Sequence, residues 1–297
     1  YKINLEDNIF PGVLGRVCSR PCESSCRHAD DENGDSVSIC FSKRSAEKYN
    51  LSKKYRLDNY AKKTNKKILV IGSGVAGLTV ARELKRFGHN IEIFEKHKSP
   101  GGMLNQGIPL FRLPRNIINK EINQILDMGI KIYYGKNIKD SAEINSLTKT
   151  YDAVILALGT LKPNEIDKDF TKTTGVENGL DFLLRVNEFN DRYIGKNVVV
   201  IGGGYTSMDC ARTALRLGAS SVKTYYRREN DDLIILPGEL EELINENGKM
   251  IFKARPKNLI KKNNKLVGIQ LIKTKLVKIN NKYRLIDIKD SDFRIKA

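Results

Sequence analysis

The chain has 297 residues, with 52 Lys and Arg against 35 Asp and Glu, a net charge of +17 and five cysteines. That length holds two ordinary domains with their own cores, so no disulfide scaffold is needed, and no apolar run reaches the ~18 to 20 residues of a membrane helix. The lysines are scattered without a basic stripe or interleaved aromatics, which argues against nucleic acid and leaves a solvated basic surface able to attract an acidic partner.

Residues 1 to about 60 are polar and carry Cys18, Cys22 and Cys26 in "GRVCSRPCESSC", then Cys40 in "SICFSKRSAEKYNLSKKY", a stretch that predicts a helix. Cysteines so few and so clustered do not make a secreted disulfide scaffold and point to a reducing compartment, the cytoplasm. C-x₃-C-x₃-C is not a usual structural zinc spacing, and Pro21 keeps the three off one helix face. Spacing alone leaves a staple, a metal site, a cluster and plain thiols open. The chain starts on Tyr1 rather than Met, which reads as a fragment.

"AKKTNKK" reads as a basic linker, and beyond it strands alternate with helices, the pattern of a parallel sheet covered on both faces. "KILVIG" predicts a buried strand, "VAGLTVARELKRFGH" a helix ending near Gly88, and "NIEIFEK" the next strand. A helix, "PRNIINKEINQILDMG", and the strands "IKIYYG" and "YDAVILALG" follow. A second unit repeats the first about 130 residues on: strand "KNVVVIGGG", helix "YTSMDCARTALRLGA", strand "SVKTYYRR" and helix "PGELEELINENG". The strands "KMIFKAR", "KLVGIQLIKTKLVKI" and "KYRLIDIK" complete it. Cys210 falls on the second unit's first helix and is expected to pack as a small apolar residue.

The first glycine loop, "GSGVAG", supplies Gly72, Gly74 and Gly77 between a buried strand and a helix. The first glycine permits the tight turn, the second lets backbone approach a pyrophosphate, and the third lets helix and strand pack closely, while the helix N-terminus attracts the phosphates. Glu95 ends the next strand 18 residues after Gly77, where it can accept from an adenosine ribose. The second loop, "GGGYTS", has Gly202, Gly203 and Gly204, with Ser207 at the third place, small enough for the same packing. Its following strand ends in "YYRRE". Arg227 and Arg228 cannot accept from a free 2′-hydroxyl but can pair with a 2′-phosphate, which selects NADPH. An acid-ended and an arginine-ended site suit FAD followed by NADPH. Hydride transfer between them needs apposed rings and excluded water more than an acid or base, so no catalytic side chain is expected, and His28, His89 and His97 are read as surface or packing residues.

These stretches, with "SPGGMLNQGIPLFRLP", "YDAVILALGT" and "GLDFLLRVNEF", closely resemble the small (beta) chain of NADPH-dependent glutamate synthase. They equally resemble its relatives, the N-terminal half of dihydropyrimidine dehydrogenase and the large subunit of NADH-dependent ferredoxin:NADP oxidoreductase. The resemblance runs from about Asn8 to Pro256. It implies an α/β fold of two Rossmann-like dinucleotide-binding units, the two-dinucleotide-binding flavoprotein type, behind a small α-helical iron–sulfur domain. The expected divisions are 1–62 for that partial helical domain and linker, 63–165 for the FAD-binding domain and 166–297 for the NADPH-binding domain. Both chain ends read as cut, before the segment in which the family re-enters its FAD domain.

The resemblance further implies FAD contacts at Gly72, Gly74, Val75, Ala76, Gly77, Glu95, Lys96, Gly101, Gly102, Met103, Arg112 and Gly159, with "GIPLFRLP" lying against the flavin nucleotide. NADPH contacts fall at Gly202, Gly203, Gly204, Tyr205, Thr206, Ser207, Arg227 and Arg228. Cys18, Cys22 and Cys26 become [4Fe–4S] ligands, not all of one cluster. The relatives' other cysteine group would lie upstream of residue 1, and near Lys43 and Arg44, where some relatives ligate iron, Cys40 is the candidate substitute. Some relatives also place an arginine where "DDLIIL" has none, a departure that would weaken the grip on a 2′-phosphate. The implied activity passes hydride from NADPH to FAD, and electrons on through clusters to a larger subunit or other acceptor, of glutamate synthase type or of a related reductase. A thiol–disulfide reductase is disfavoured because no C-x-x-C occurs, and a non-catalytic docking module is the remaining alternative.

Overall fold

The computed structural model describes residues 1–30, 34–49, 57–160, 170 and 172–297, and the chain divides into two compact units, Tyr1–Thr160 and Leu161–Ala297. The last part of the helix expected over "SICFSKRSAEKYNLSKKY" lies outside the described residues.

The first unit is built on four parallel strands, β1 (Lys67–Ile71), β2 (Asn90–Glu95), β3 (Lys131–Tyr134) and β4 (Ala153–Leu156), in the order β3-β2-β1-β4. Leu69 and Val70 on β1 are fully buried, as expected for a central parallel strand covered on both faces. Among the described residues the α-helices α1 (Lys2–Asp7), α2 (Pro11–Val17), α3 (Pro21–Ser24) and α4 (Ile39–Tyr49) precede β1. Then α5 (Val75–Arg86) joins β1 to β2, α6 (Met103–Gln106) and α7 (Arg115–Leu126) join β2 to β3, and α8 (Ser141–Leu147) joins β3 to β4. On α7 the apolar positions Ile117, Ile118, Ile122 and Ile125 recur at helical spacing and are all buried. They share a core with Val70, Leu78, Ile91 and Ile93.

Phe10 and Val13 belong to that same core, so the cysteine-bearing helices are packed onto the nucleotide unit rather than around a core of their own. The carboxylate of Glu121, on α7, accepts the Gly12 and Val13 amides at 2.6 and 3.0 Å, the first turn of α2. Glu47 on α4 is buried and pairs with Lys120 at 2.9 Å and Arg16 at 3.4 Å. The expected basic linker is also tied down: the Tyr60 and Ala61 amides donate to the Arg86 carbonyl, and the Arg86 guanidinium lies 3.7 Å from the Tyr60 ring centroid.

The second unit has two sheets. Three parallel strands, β5 (Asn197–Ile201), β6 (Ser221–Tyr225) and β7 (Lys249–Ile251), run in the order β5-β6-β7. Helix α9 (Gly179–Phe189) precedes them, α10 (Tyr205–Arg216) joins β5 to β6, and α11 (Glu239–Asn245) joins β6 to β7. The other sheet is antiparallel, with β8 (Ala254–Lys262), β10 (Lys282–Asp287) and β11 (Phe293–Lys296) all pairing with the long β9 (Lys265–Ile279). Its hairpins turn on Asn263–Asn264 and Asn280–Asn281, all four at positive φ, the conformation a two-residue turn of this kind demands and Asn tolerates. The run "KMIFKAR", expected as one strand, is split: Lys253 adopts φ +57, so β7 stays with the parallel sheet and β8 turns into the antiparallel one. No helix among the described residues is long and apolar enough to cross a membrane.

Burial pushes the Glu121 carboxyl up to about 7, although the two amides and Lys120 favour the charged form, with Glu47 adding repulsion. A carboxyl raised in the folded state stabilises when neutral, so its contribution is complete below its ordinary value of 4.5 and gone above about 7. The shift corresponds to on the order of 3 kcal/mol. Thermal unfolding followed between pH 4.5 and 7.5 is expected to show the midpoint falling as pH rises, and Glu121→Gln is expected to flatten that slope; equal slopes in the two proteins would refute the assignment.

Candidate functional site

In the first unit, the residues expected at the FAD site gather at the carboxyl ends of the strands: Gly72, Gly74, Val75, Ala76 and Gly77 after β1, Glu95 to Met103 after β2, and Gly159 after β4. This is the edge where open α/β sheets bind ligands. Gly72 sits at φ +104 as the chain leaves β1, and a Cβ on Gly77 would collide with the Gly72 carbonyl, so α5 crosses the strand at a distance only glycine allows. At Gly74 the opposite holds: nothing lies within 4 Å of an added Cβ. That open space faces the N-terminus of α5, where an anion would meet the helix's unpaired amides. The turn "GGM" closes on it, with the Gly101 amide donating to the Ser73 carbonyl at 2.8 Å and Gly102 set against the Gly74 α-carbon.

Glu95 is buried, and its carboxylate is engaged by the protein: Ser73 donates from its amide at 2.8 Å and its hydroxyl at 2.5 Å, and the His97 amide donates at 2.8 Å. A carboxylate offers about four acceptor positions, of which these donors occupy three. Val75, Ala76, Lys96, Met103 and Gly159 are exposed around this edge, and Arg112 is half-buried on the following loop.

Arg115 is the site residue that the sequence pattern does not mark. Its guanidinium donates to the carbonyls of Asn105 at 2.7 Å and Leu104 at 3.2 Å on α6, and of Ile108 at 3.0 Å and Leu113 at 3.3 Å in "GIPLFRLP", tying that loop to the helix before it. Desolvation of the cation pulls its pKa down to about 10. The only local signal is a Pro-Arg pair at a helix start.

In the second unit, Gly202 leaves β5 at φ +145 and Gly203 lies beneath the Tyr226 ring, where a Cβ would collide. Ser207 fits the third glycine's place and is buried. Its hydroxyl also accepts from the Gly204 amide at 2.9 Å and donates to the Gly204 carbonyl at 2.6 Å, closing the loop on itself. Tyr205 is half-buried and Thr206 exposed at the start of α10. Arg227 and Arg228 follow β6 with both side chains exposed, and the Asp232 carboxylate lies 3.8 Å from Arg228.

The cysteines are less convergent than their spacing suggests. Cys18 ends α2, Cys22 is exposed on α3, Cys26 opens a short 3₁₀ turn, and Cys40 is buried on α4 with its thiol facing the Leu14 carbonyl. Cys40 and Cys18 are in contact, and burial pushes the Cys40 thiol up; backbone amides, led by that of Val37, draw the Cys26 thiol down. Among the described residues no three His, Cys, Asp or Glu side chains converge as a metal site. Cys210 is buried beside the Gly179 carbonyl, its thiol raised by desolvation, as expected of a packing residue. His28 is exposed and meets the Asp35 carbonyl, while His89 is half-buried and paired with the Thr64 hydroxyl.

Comparison with known proteins agrees with this geometry. The chain is 34% identical over 280 residues to the NADPH-Fe(3+) oxidoreductase subunit beta of Geobacter sulfurreducens, covering 92% of this chain and 41% of that protein. It is 32% identical over 293 residues to the glutamate synthase [NADPH] small chain of Escherichia coli, covering 93% and 61%. The resemblance read from the motifs thus holds, and the chain spans about half the length of the curated relatives it matches. Among solved structures, FprA of Mycobacterium tuberculosis in complex with NADPH shares the fold, with a TM-score of 0.68 at 17% identity, over 78% of this chain and 69% of that one. The sequence family described as pyridine nucleotide-disulphide oxidoreductase matches residues 66–284, and the chain belongs to it.

Proposed function

We propose that the chain is the nucleotide-binding core of an NADPH-dependent flavoprotein oxidoreductase of the glutamate synthase small-chain type, with FAD on the first unit and NADPH on the second. The observation that carries this reading is the contrast at the two strand ends: a buried acid, Glu95, after β2 and two exposed arginines, Arg227 and Arg228, after β6. Bound flavin would accept a hydride from NADPH and release the electrons onward.

The protein's own part is binding and orientation. The open face of Gly74 and the N-terminus of α5 would receive the pyrophosphate, and Arg115 would hold the "GIPLFRLP" loop in place beside it. Tyr226, packed over Gly203, shapes the floor of the second loop. No side chain needs to move a proton in a hydride transfer.

The relatives are named a small chain and a subunit beta, which supports a larger partner subunit as electron acceptor. The free thiols support a cytoplasmic setting. Ligation of [4Fe–4S] clusters by Cys18, Cys22, Cys26 and Cys40 is supported by resemblance alone, and no step is assigned to it.

Two glycine variants separate binding from folding. Gly74 has φ −70 and open space at its Cβ, so Gly74→Leu is expected to fold, with the flavin-free proteins melting at similar temperatures, while losing flavin retention at least about tenfold by absorbance. Gly77→Ala, which meets the Gly72 carbonyl, is expected to unfold or aggregate. A Gly74→Leu protein that keeps its flavin would overturn the first site. For the second, Arg227→Ala with Arg228→Ala is expected to weaken NADPH binding about tenfold with NADH unaffected; equal effects on both nucleotides would overturn it.

A further inference from the structure

We propose that Lys253 and Lys275 complete the cationic seat for the nucleotide's 2′-phosphate, replacing the arginine that "DDLIIL" lacks; this rests on the NADPH reading above. One open depression on the second unit is lined by Arg227, Arg228, Lys253 and Lys275, with Glu229 and Asp232 at its edge. Four cations against two carboxylates leave the depression net positive, suited to a dianion.

The backbone brings these groups together from three separate elements. The Thr274 hydroxyl on β9 donates to the Arg227 carbonyl at 2.6 Å, the Lys253 amide donates to the Arg228 carbonyl at 3.1 Å, and the Thr274 amide donates to the Lys253 carbonyl at 2.8 Å. The arginine pair is thus locked from behind by the very residues that carry or neighbour the two lysines. The guanidiniums and ammoniums stay exposed.

Lys253 also adopts a conformation its residue type disfavours. Of the non-glycine described residues at positive φ, only Arg20 and Lys253 are neither Asn nor Asp. Glycine would serve the bend between β7 and β8 at less strain, and a side chain kept at such a position points to a use for it. Its ammonium now rests 2.8 Å from Glu229, an exposed pair that salt and solvent screen, and which a phosphate with more charge can displace.

Lys253→Gly provides the test, because it relieves the backbone and so leaves the melting temperature equal or higher. Binding of adenosine 2′,5′-bisphosphate and of AMP to the full chain is measured by calorimetry for the wild type, Lys253→Gly, Lys275→Ala and the double variant. Each single change is expected to weaken the bisphosphate about threefold to tenfold, the double change by roughly the product, and AMP by neither. Added salt should narrow the differences. Unchanged bisphosphate affinity in the lysine variants, while Arg227→Ala and Arg228→Ala weaken it, would overturn the role of the lysines and leave the NADPH reading standing. A wild type that binds the bisphosphate no better than AMP would overturn both.

Discussion

The approach of Gly77 to the Gly72 carbonyl is the constraint on which the first unit's binding edge depends. With no Cβ between them, α5 lies close enough to β1 for its N-terminus to open directly over the strand end. The turn that results places Ser73 within reach of Glu95, and Ser73 in turn receives the Gly101 amide. The glycine contact, the buried acid and the second glycine turn are therefore one connected structure. Widening the first contact would disturb all three, because interiors packed at this density transmit displacement rather than absorb it.

What the sequence made legible follows from where its signals come from. The buried strands and the helices α5, α7 and α10 show because their apolar periods match their burial, as with Ile118 and Ile122 on α7. Helix α8, "SAEINSL", buries no residue and escapes that search; it is held instead by Asp140, whose carboxylate accepts the Glu143 amide at 2.9 Å. Helix α9 is likewise started by Asn178, accepting from Leu180. The break at Lys253 is invisible for a different reason: the alternation of "KMIFKAR" is that of a continuous strand, and only the backbone dihedral separates its halves.

The same division runs through the site. Glycines and strand-end residues are fixed in register by the turn they build, so Gly72, Gly77, Glu95 and Arg227 could be placed by counting. Arg115 could not, since a cation satisfied by four backbone carbonyls, of α6 and the loop after it, has no partner residue whose spacing reveals it. Composition alone marks "AKKTNKK" as a linker by its charge and does not show that the amides of Tyr60, Ala61 and Thr64 bond the end of α5 and Gly88.

The two strand ends do not carry equal weight as evidence for a nucleotide. Glu95 has a structural reason to be where it is: buried, it satisfies the Ser73 and His97 amides, which would otherwise stand unpaired at the exit of β1 and the end of β2. An acid there is required by the loop whether or not a ribose ever binds. Arg227 and Arg228 have no such reason. Their carbonyls are held by Thr274 and Lys253, so the backbone at that point would be secure with any side chain, yet both guanidiniums project into solvent beside two further cations. Four cations against the two carboxylates of Glu229 and Asp232 leave an excess of like charge that raises the energy of the protein. That cost makes the arginine-ended site, more than the glycine loops or the acid, the physical sign of an anionic ligand among the described residues.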